Sequence, residues 1–474
     1  MTALAADADR LPCRGATDRK ERGYPLVIGY HRPPVHPTPD GWRPPRSPNG
    51  ILPVLSGLSL PGRRAVWVTA AVGADRPEAD MPSAGLPLSP LTMSPNEWTG
   101  FVHRACKEAL WPVLMSQPER MRFDPAAWRH YRAANARFAA HIGALAAKGA
   151  TVWLHEYNLW LVPGMLRAAR SDLRIGLFHH TPFPAPDVFA ALPTAAEIRA
   201  SLACLDWSGL HTQAFADNFR RALVPRSGLP RIEVHPLGVD RGAIEALVGT
   251  RPRLARVPGE VLVLSVERLD YVKAPVEKVE AIDTLLARVP RLRGRLKFRL
   301  ICPPPEAGIT AYDETGRVLE RRVADVNRCW RTDVWQPIEY LPRCLPFAEI
   351  IDHYLAADVF WVTSLQDGMN LTAKEFIAAQ AAVAGCGVLV LSRNAGAAAE
   401  LGTAALLTDP GAPDDLVGGL RRALDLTWRQ RRDRLHRLSH LLGDRLPADW
   451  ATDIIAAISA TGGGMARGRR PCRG

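Results

Sequence analysis

Long apolar runs are missing from this 474-residue chain. The nearest candidate, Ile377 to Leu391, is broken by Gln380, Gly385 and Gly387, so no membrane partner is expected. Residues 1–23 alternate charges and have no apolar stretch of signal-peptide type, which makes them a disordered leader and the protein cytoplasmic. The eight cysteines (13, 106, 204, 302, 329, 344, 386 and 472) form no CxxC pair, and no histidine cluster shows zinc spacing. They read as reduced thiols filling a core. No DxD-like run is placed to hold a metal, and no short repeat recurs. Basic residues are not interleaved with aromatics as in nucleic-acid binders.

Charge of one sign, by contrast, is in excess: 60 basic residues against 48 acidic ones give +12. Arg467, Arg469, Arg470 and Arg473 lie in a Gly-rich tail, 461–474, that reads as disordered. Arg429, Arg431, Arg432, Arg434 and Arg437 lie on a helix, where they read as a solvated face. Phosphorylated small molecules suit this distribution better than nucleic acid, which is not expected as a partner. A hydrophobic content of 47% and a charged content of 23% are those of a globular protein, and the length suits two domains.

The chain is organised around Ser364-Leu365-Gln366-Asp367-Gly368-Met369-Asn370-Leu371-Thr372-Ala373-Lys374-Glu375. The apolar run Val359 to Val362 before it reads as a buried strand, and Ala373 to Ala382 after it as a buried helix. Asp-Gly-Met-Asn then sits on a strand-to-helix turn, where free amides attract anions and an α/β sheet meets its ligand. Taken alone, Asp-Gly is an ordinary turn with Asn370 as cap. The rest of the chain argues otherwise. Leu26 to Tyr30 is a strand running into Arg32, and Gly50 opens a helix. Pro95 to Ala147 is helical and carries Trp111. Strand Ala150 to Leu154 ends in His155-Glu156, and strand Arg174 to Phe178 ends in His179-His180. After a turn-rich linker from Arg251 to Gly259, strand Val261 to Val266 delivers Arg268 and Lys273, a fork and a point charge suited to a diphosphate. Strands and helices keep alternating: strands Lys297–Ile301, Val334–Tyr340, Val359–Val362 and Gly387–Leu391, with helices Thr315–Asn327 and Phe347–Ala357 between them. The expected fold is α/β, two Rossmann-like domains facing across a cleft: 24–250 and 251–447, with helix 448–460 returning to the first.

These residues together resemble a known family. The segments "DGMNLTAKEF" from 367, "VERLDYVK" from 266, "VWLHEYNLWLVPG" from 152 and "FHHTPFP" from 178 are similar to the trehalose-6-phosphate synthase family of retaining nucleotide-sugar glycosyltransferases, of GT-B type. "YHRPP" from 30, "SPNGILP" from 47 and the doubled histidine are closer to its glucosylglycerol-phosphate synthase branch. The resemblance implies transfer of glucose from ADP-glucose to sn-glycerol 3-phosphate, yielding a compatible solute for osmoprotection. It implies that Arg268 and Lys273 hold the diphosphate, that Glu375 meets the ribose, and that Asp367 with the amides of Gly368, Met369, Asn370 and Leu371 holds the glucosyl unit. His180 would lie over the sugar and Gly50 would close on the diphosphate. Arg32, Trp111 and Glu156 would face the acceptor. No cofactor is required, no metal site is assigned, and Mg2+ is compatible with the diphosphate; a homo-oligomer is left open. The sequence departs from the family at Glu156, where the motif has Asp, at Val102, where it has Tyr, and at Gln366, where it has Arg. Thr194-Ala195-Ala196 also stands in for a "WRE" motif. Glu306 stands where trehalose-6-phosphate synthases carry a basic residue, and an acid there would repel the phosphate of glucose 6-phosphate. Alternative readings are trehalose-6-phosphate synthase, a relative coupling other phosphorylated acceptors, and a silent sugar-phosphate-binding paralogue.

Overall fold

A computed structural model describes residues 23–38, 41–43, 51–58, 64–73, 85–223, 228–250, 257–305 and 308–462. The leader to residue 22, Gly50, linker residues 251–256, Glu306 and the tail from 463 lie outside these described residues.

Seven strands make the first sheet: β1 (Tyr24–Gly29), β2 (Ala65–Val72), β3 (Leu88–Met93), β4 (Ala146–His155), β5 (Arg174–His179), β6 (Trp207–Leu210) and β7 (Arg231–Val234). Their order is β3-β2-β1-β4-β5-β6-β7, and every pairing is parallel. Six more make the second: β8 (Val261–Val266), β9 (Leu296–Ile301), β10 (Ile338–Leu341), β11 (Val359–Val362), β12 (Val388–Ser392) and β13 (Leu406–Thr408). These are also all parallel, in the order β10-β9-β8-β11-β12-β13. Both sheets are doubly wound, so each reverses direction beside its first strand and opens a crevice there. Near-continuous apolar runs such as Val27-Ile28 and Val359-Phe360-Trp361-Val362 are fully buried because helices cover both faces of each sheet. The chain thus forms two Rossmann-like domains. No helix among the described residues is long and apolar enough to cross a membrane.

Several elements differ from the sequence reading. Strand β3 was not anticipated, because Pro90 interrupts its pattern; as an edge strand, paired only with β2, it tolerates that proline. Strand β10 begins at Ile338 rather than Val334, which is 96% exposed. The helical stretch expected from Pro95 to Ala147 is α-helical over Pro95–Trp98, a π-helix over Thr99–Leu110, α-helical again over Trp111–Leu114 and Pro125–Leu145, and gives way to β4 at Ala146. The arginines of helix Trp428–Leu442 are not simply a solvated face. Arg431 donates to the carbonyls of Ala423, Leu424, Leu426 and Asp358, and Arg434 to Ala404. Arg431 thereby caps the carboxy-terminal end of the preceding helix, Pro413–Asp425.

Helix Pro447–Ser459 leaves the second domain and packs on the first sheet. Trp450, Ile454, Ile455 and Ile458 share one core with Ile28, Trp67, Trp153, Phe178 and Trp207. Gly176 makes room for it: a Cβ there would meet Ile458 Cδ1 at 2.4 Å. Trp450 is fully buried, lies tilted against Trp153 and edge-on to Phe178, and donates its indole N–H to the His235 carbonyl at 3.0 Å. Trp450→Ala is expected to lower unfolding free energy by about 3–5 kcal/mol in urea titration, the usual cost of emptying a large buried site. A loss below about 1 kcal/mol would mean that the helix does not hold the first sheet.

Candidate active site

Each domain presents its polar residues where its strands end, so the two sets of strand-end loops face each other. On the second domain, β8 is followed by the turn Tyr271–Lys273, whose amide at Val272 donates to Asp270 Oδ1 at 3.2 Å. Strand β11 is followed by Thr363 to Asn370. Two bonds lock these loops together: Thr363 Oγ1 donates to the Lys273 carbonyl at 2.9 Å, and Leu365 N donates to the Val272 carbonyl at 2.7 Å. Lys273 Nζ therefore reaches Asp367 Oδ2 at 2.5 Å, with both side chains 15% exposed. Asn370 Nδ2 and Ser364 Oγ donate to the same oxygen, at 2.9 and 3.2 Å. Burial alone would raise the Asp367 pKa, but Lys273 and these hydrogen bonds hold it below the ordinary value. Behind them Lys278 and Glu267 form a second buried pair at 2.5 Å.

Asn370 has φ +79° and caps helix Leu371–Ala382, accepting from Ala373 N at 3.1 Å. The cap and the ligand-facing turn are thus the same residues. Glu375 is 4% exposed and accepts from Tyr354 O–H at 2.8 Å, while Met369 is buried in the core of the second domain. Leu371 packs against the cores of both domains. Lys374, buried, binds Glu400 at 2.8 Å and the Leu237 carbonyl at 2.8 Å. That tie fixes the helix to the segment entering the second domain, a role the sequence did not signal.

Across the cleft, β5 ends in His179-His180. The His180 ring stacks on His155 with centroids 5.4 Å apart, and its Nε2 lies 3.1 Å from His155 Nδ1. Burial, with His211, His155 and His179 close by, holds the His180 pKa well below its usual value, so the imidazole is neutral near pH 7. The two domains touch at this loop. A Cβ on Gly368 would lie 1.9 Å from the His180 carbonyl oxygen, so only glycine fits.

Glu156 follows β4 with φ +73° and ψ 163°, a strained conformation for a residue with a Cβ. Its Oε2 accepts from Tyr157 N and Thr181 Oγ1, each at 3.2 Å. Burial nevertheless pushes its carboxyl up to about 7. Arg32 follows β1, and Trp111 is 7% exposed with its ring 6.1 Å from that of Tyr157. Val102 is buried in the core of the first domain. The sequence reading passed over Lys107, one helical turn before Trp111, whose Nζ sits 3.8 Å from the Trp111 ring centroid. Its only sequence signal was that spacing. The structure thus gathers His180, Glu156, Trp111 and Arg32 on one side and Arg268, Lys273, Asp367 and Gly368 on the other.

Because the folded Glu156 keeps its proton between about pH 4.5 and 7 and the unfolded one does not, stability falls as pH rises through that window. Glu156→Gln should remove roughly 3 kcal/mol of that fall, read as diverging urea midpoints between pH 4.5 and 7. Parallel profiles for the two proteins would contradict the shift.

The model of glycosyltransferase family 20 matches residues 42–460. A glucosylglycerol-phosphate synthase of Pseudomonas anguilliseptica is 36% identical over 92% of this chain, which spans 65% of that relative's length. One from a Synechocystis strain is 30% identical over 91% of this chain and 96% of its own. Among solved structures, an Escherichia coli protein described as trehalose-6-phosphate bound with UDP-2-fluoro glucose superposes with TM-score 0.82 at 28% identity, covering 92% of this chain and 99% of its own. A Burkholderia xenovorans trehalose-phosphate synthase in complex with glucose-6-phosphate gives 0.80 at 26%, covering 92% and 100%. The fold is that of GT-B glycosyltransferases, and the chain belongs to glycosyltransferase family 20.

Proposed function

We propose that the protein transfers glucose, with retention, from ADP-glucose to sn-glycerol 3-phosphate, giving glucosylglycerol phosphate. The observation that carries this reading is the meeting of the Lys273–Asp367 pair with the His180 loop at Gly368. Similarity to glucosylglycerol-phosphate synthases supports the acceptor. In this reading, residues 24–250 with the returning helix bind the acceptor, and 251–447 bind the donor.

As the bond between glucosyl C1 and the diphosphate oxygen lengthens, negative charge grows on the diphosphate. Arg268 and Lys273 stabilise that charge where it develops. Lys273 spends one of its three N–H donors on Asp367 and keeps two for phosphate oxygens. Asp367, deprotonated, accepts from glucosyl hydroxyls beside the amides of Gly368, Met369, Asn370 and Leu371, and Glu375 meets the ribose. Neutral His180 lies over the sugar and adds no charge that would oppose the developing positive C1. Arg32, Trp111 and Glu156 orient the acceptor. Its hydroxyl oxygen forms the new bond on the face the diphosphate leaves, and its proton passes to the departing phosphate oxygen. In this reading Gly50 also belongs to the donor site. Water exclusion follows from closure of the two domains. No resident metal is part of the proposal, and Mg2+ would arrive with the diphosphate. The product would serve as a compatible solute. The glucose-6-phosphate complex of a structural neighbour favours a second reading, a trehalose-6-phosphate synthase.

Asp367→Ala should lower turnover by at least about 10³-fold with an unchanged circular dichroism spectrum. Unchanged turnover would overturn the site. Nucleotide release should require ADP-glucose together with glycerol 3-phosphate in a matrix of ADP-, UDP- and GDP-glucose with glycerol 3-phosphate or glucose 6-phosphate. Release only with glucose 6-phosphate would establish the second reading. EDTA should leave turnover measurable, whereas complete loss restored by Mg2+ would make the cation obligatory.

A further inference from the structure

Among the described residues, Lys107 is a lysine with no carboxylate bonded to it. It lies on the π-helix Thr99–Leu110, and its Nζ rests over the face of Trp111 at 3.8 Å. Among the described residues it makes no hydrogen bond or ion pair. Its four charged neighbours come from three strand ends: Arg32 after β1, Glu156 after β4, and Arg268 and Asp270 after β8. Both acids favour its charge, but neither is bonded to it. Glu156 holds its own proton up to about pH 7, and Asp270 is occupied by Tyr312 O–H at 3.1 Å and by the Val272 amide. Burial, followed by repulsion from Arg268, pulls the Lys107 pKa down to about 7. What remains is a half-buried lysine laid over an aromatic ring, beside the Arg32 and Glu156 that the reading above assigns to the acceptor. An anion is the group that relieves such repulsion.

We propose that Lys107 is the cation that receives the acceptor's phosphate, with Trp111 aligning its stem and Arg32 flanking it. The inference rests on the acceptor-binding reading of the first domain given above and specifies which residue sets its selectivity. Physical reach agrees with a small acceptor. In glycerol 3-phosphate the phosphate is only a few bonds from the attacking hydroxyl, so its cation must stand close to the reaction centre. Lys107 lies within the electrostatic reach of both Arg268 and Glu156, on the two sides of that centre. A phosphate on the far side of a hexose would need a more distant cation. A helix widened to π geometry is a recurrent feature of functional sites, which accords with a side chain positioned for a ligand.

The test is equilibrium binding of sn-glycerol 3-phosphate and of glucose 6-phosphate to the full chain saturated with ADP, by calorimetry, for wild type, Lys107→Met and Lys107→Arg. Lys107→Met should weaken binding of whichever phosphate ester the wild type takes by roughly 10- to 100-fold, the worth of one charge-assisted hydrogen bond. Affinity for ADP should stay within about twofold, and Lys107→Arg should recover part of the loss. A fall of less than threefold for the ester would overturn the proposal. Equal losses for ADP and the ester would also overturn it, by making Lys107 a structural residue. If wild type binds glucose 6-phosphate and not glycerol 3-phosphate, the acceptor named above is wrong, and Lys107 is still judged on the ester that binds.

Discussion

The cleft depends on one constrained contact, the ion pair between Lys273 and Asp367 at the ends of adjacent strands β8 and β11. A mostly buried pair of this kind is a poor source of stability, because removing two charges from water offsets most of their attraction. Its cost is met by the loops around it. Thr363 and Leu365 bind the backbone of the lysine turn, and Asn370 and Ser364 complete the carboxylate. Such a pair makes sense as preorganisation: both groups already stand, desolvated and oriented, where a polar ligand would otherwise have to order them. The same turn carries Gly368, whose missing Cβ lets the His180 loop approach from the other domain. Charge placement and domain contact are therefore one feature of the backbone.

The opposing wall has the reverse character. His155, His179, His180 and His211 are all driven toward neutrality by burial, Glu156 is held toward its protonated form, and Lys107 toward its neutral one. One side of the cleft thus carries fixed charge, and the other, apart from Arg32, carries groups whose charge a ligand can change. That asymmetry fits a donor that arrives highly charged and an acceptor that must surrender a proton.

Much of this was legible in the sequence, and the parts that were not have identifiable causes. Strands β1, β4, β5, β8, β11 and β12 showed themselves as short apolar runs ending in polar residues, which also located Glu156, His180, Arg268 and Asp367. Edge strand β3 was hidden by Pro90, because ladder position is a tertiary fact. The π-helix was hidden because its apolar pattern is close to that of an α-helix. Lys107 and Lys374 were passed over among sixty basic residues: nothing in a sequence marks which lysine lacks a carboxylate or reaches a carbonyl 137 positions away. Conversely, Met369 belongs to a legible motif, yet its side chain packs in the core. Motif membership located the backbone, and burial decided which side chains face the cleft.

A crystal structure of the protein with bound ADP-glucose would test the central claim most directly. The account predicts diphosphate oxygens within about 3 Å of Lys273 Nζ and the Arg268 guanidinium, and glucosyl hydroxyls on Asp367 and the amides that follow it, facing His180. A nucleotide-sugar seated elsewhere, with no ligand oxygen near Lys273, would contradict it.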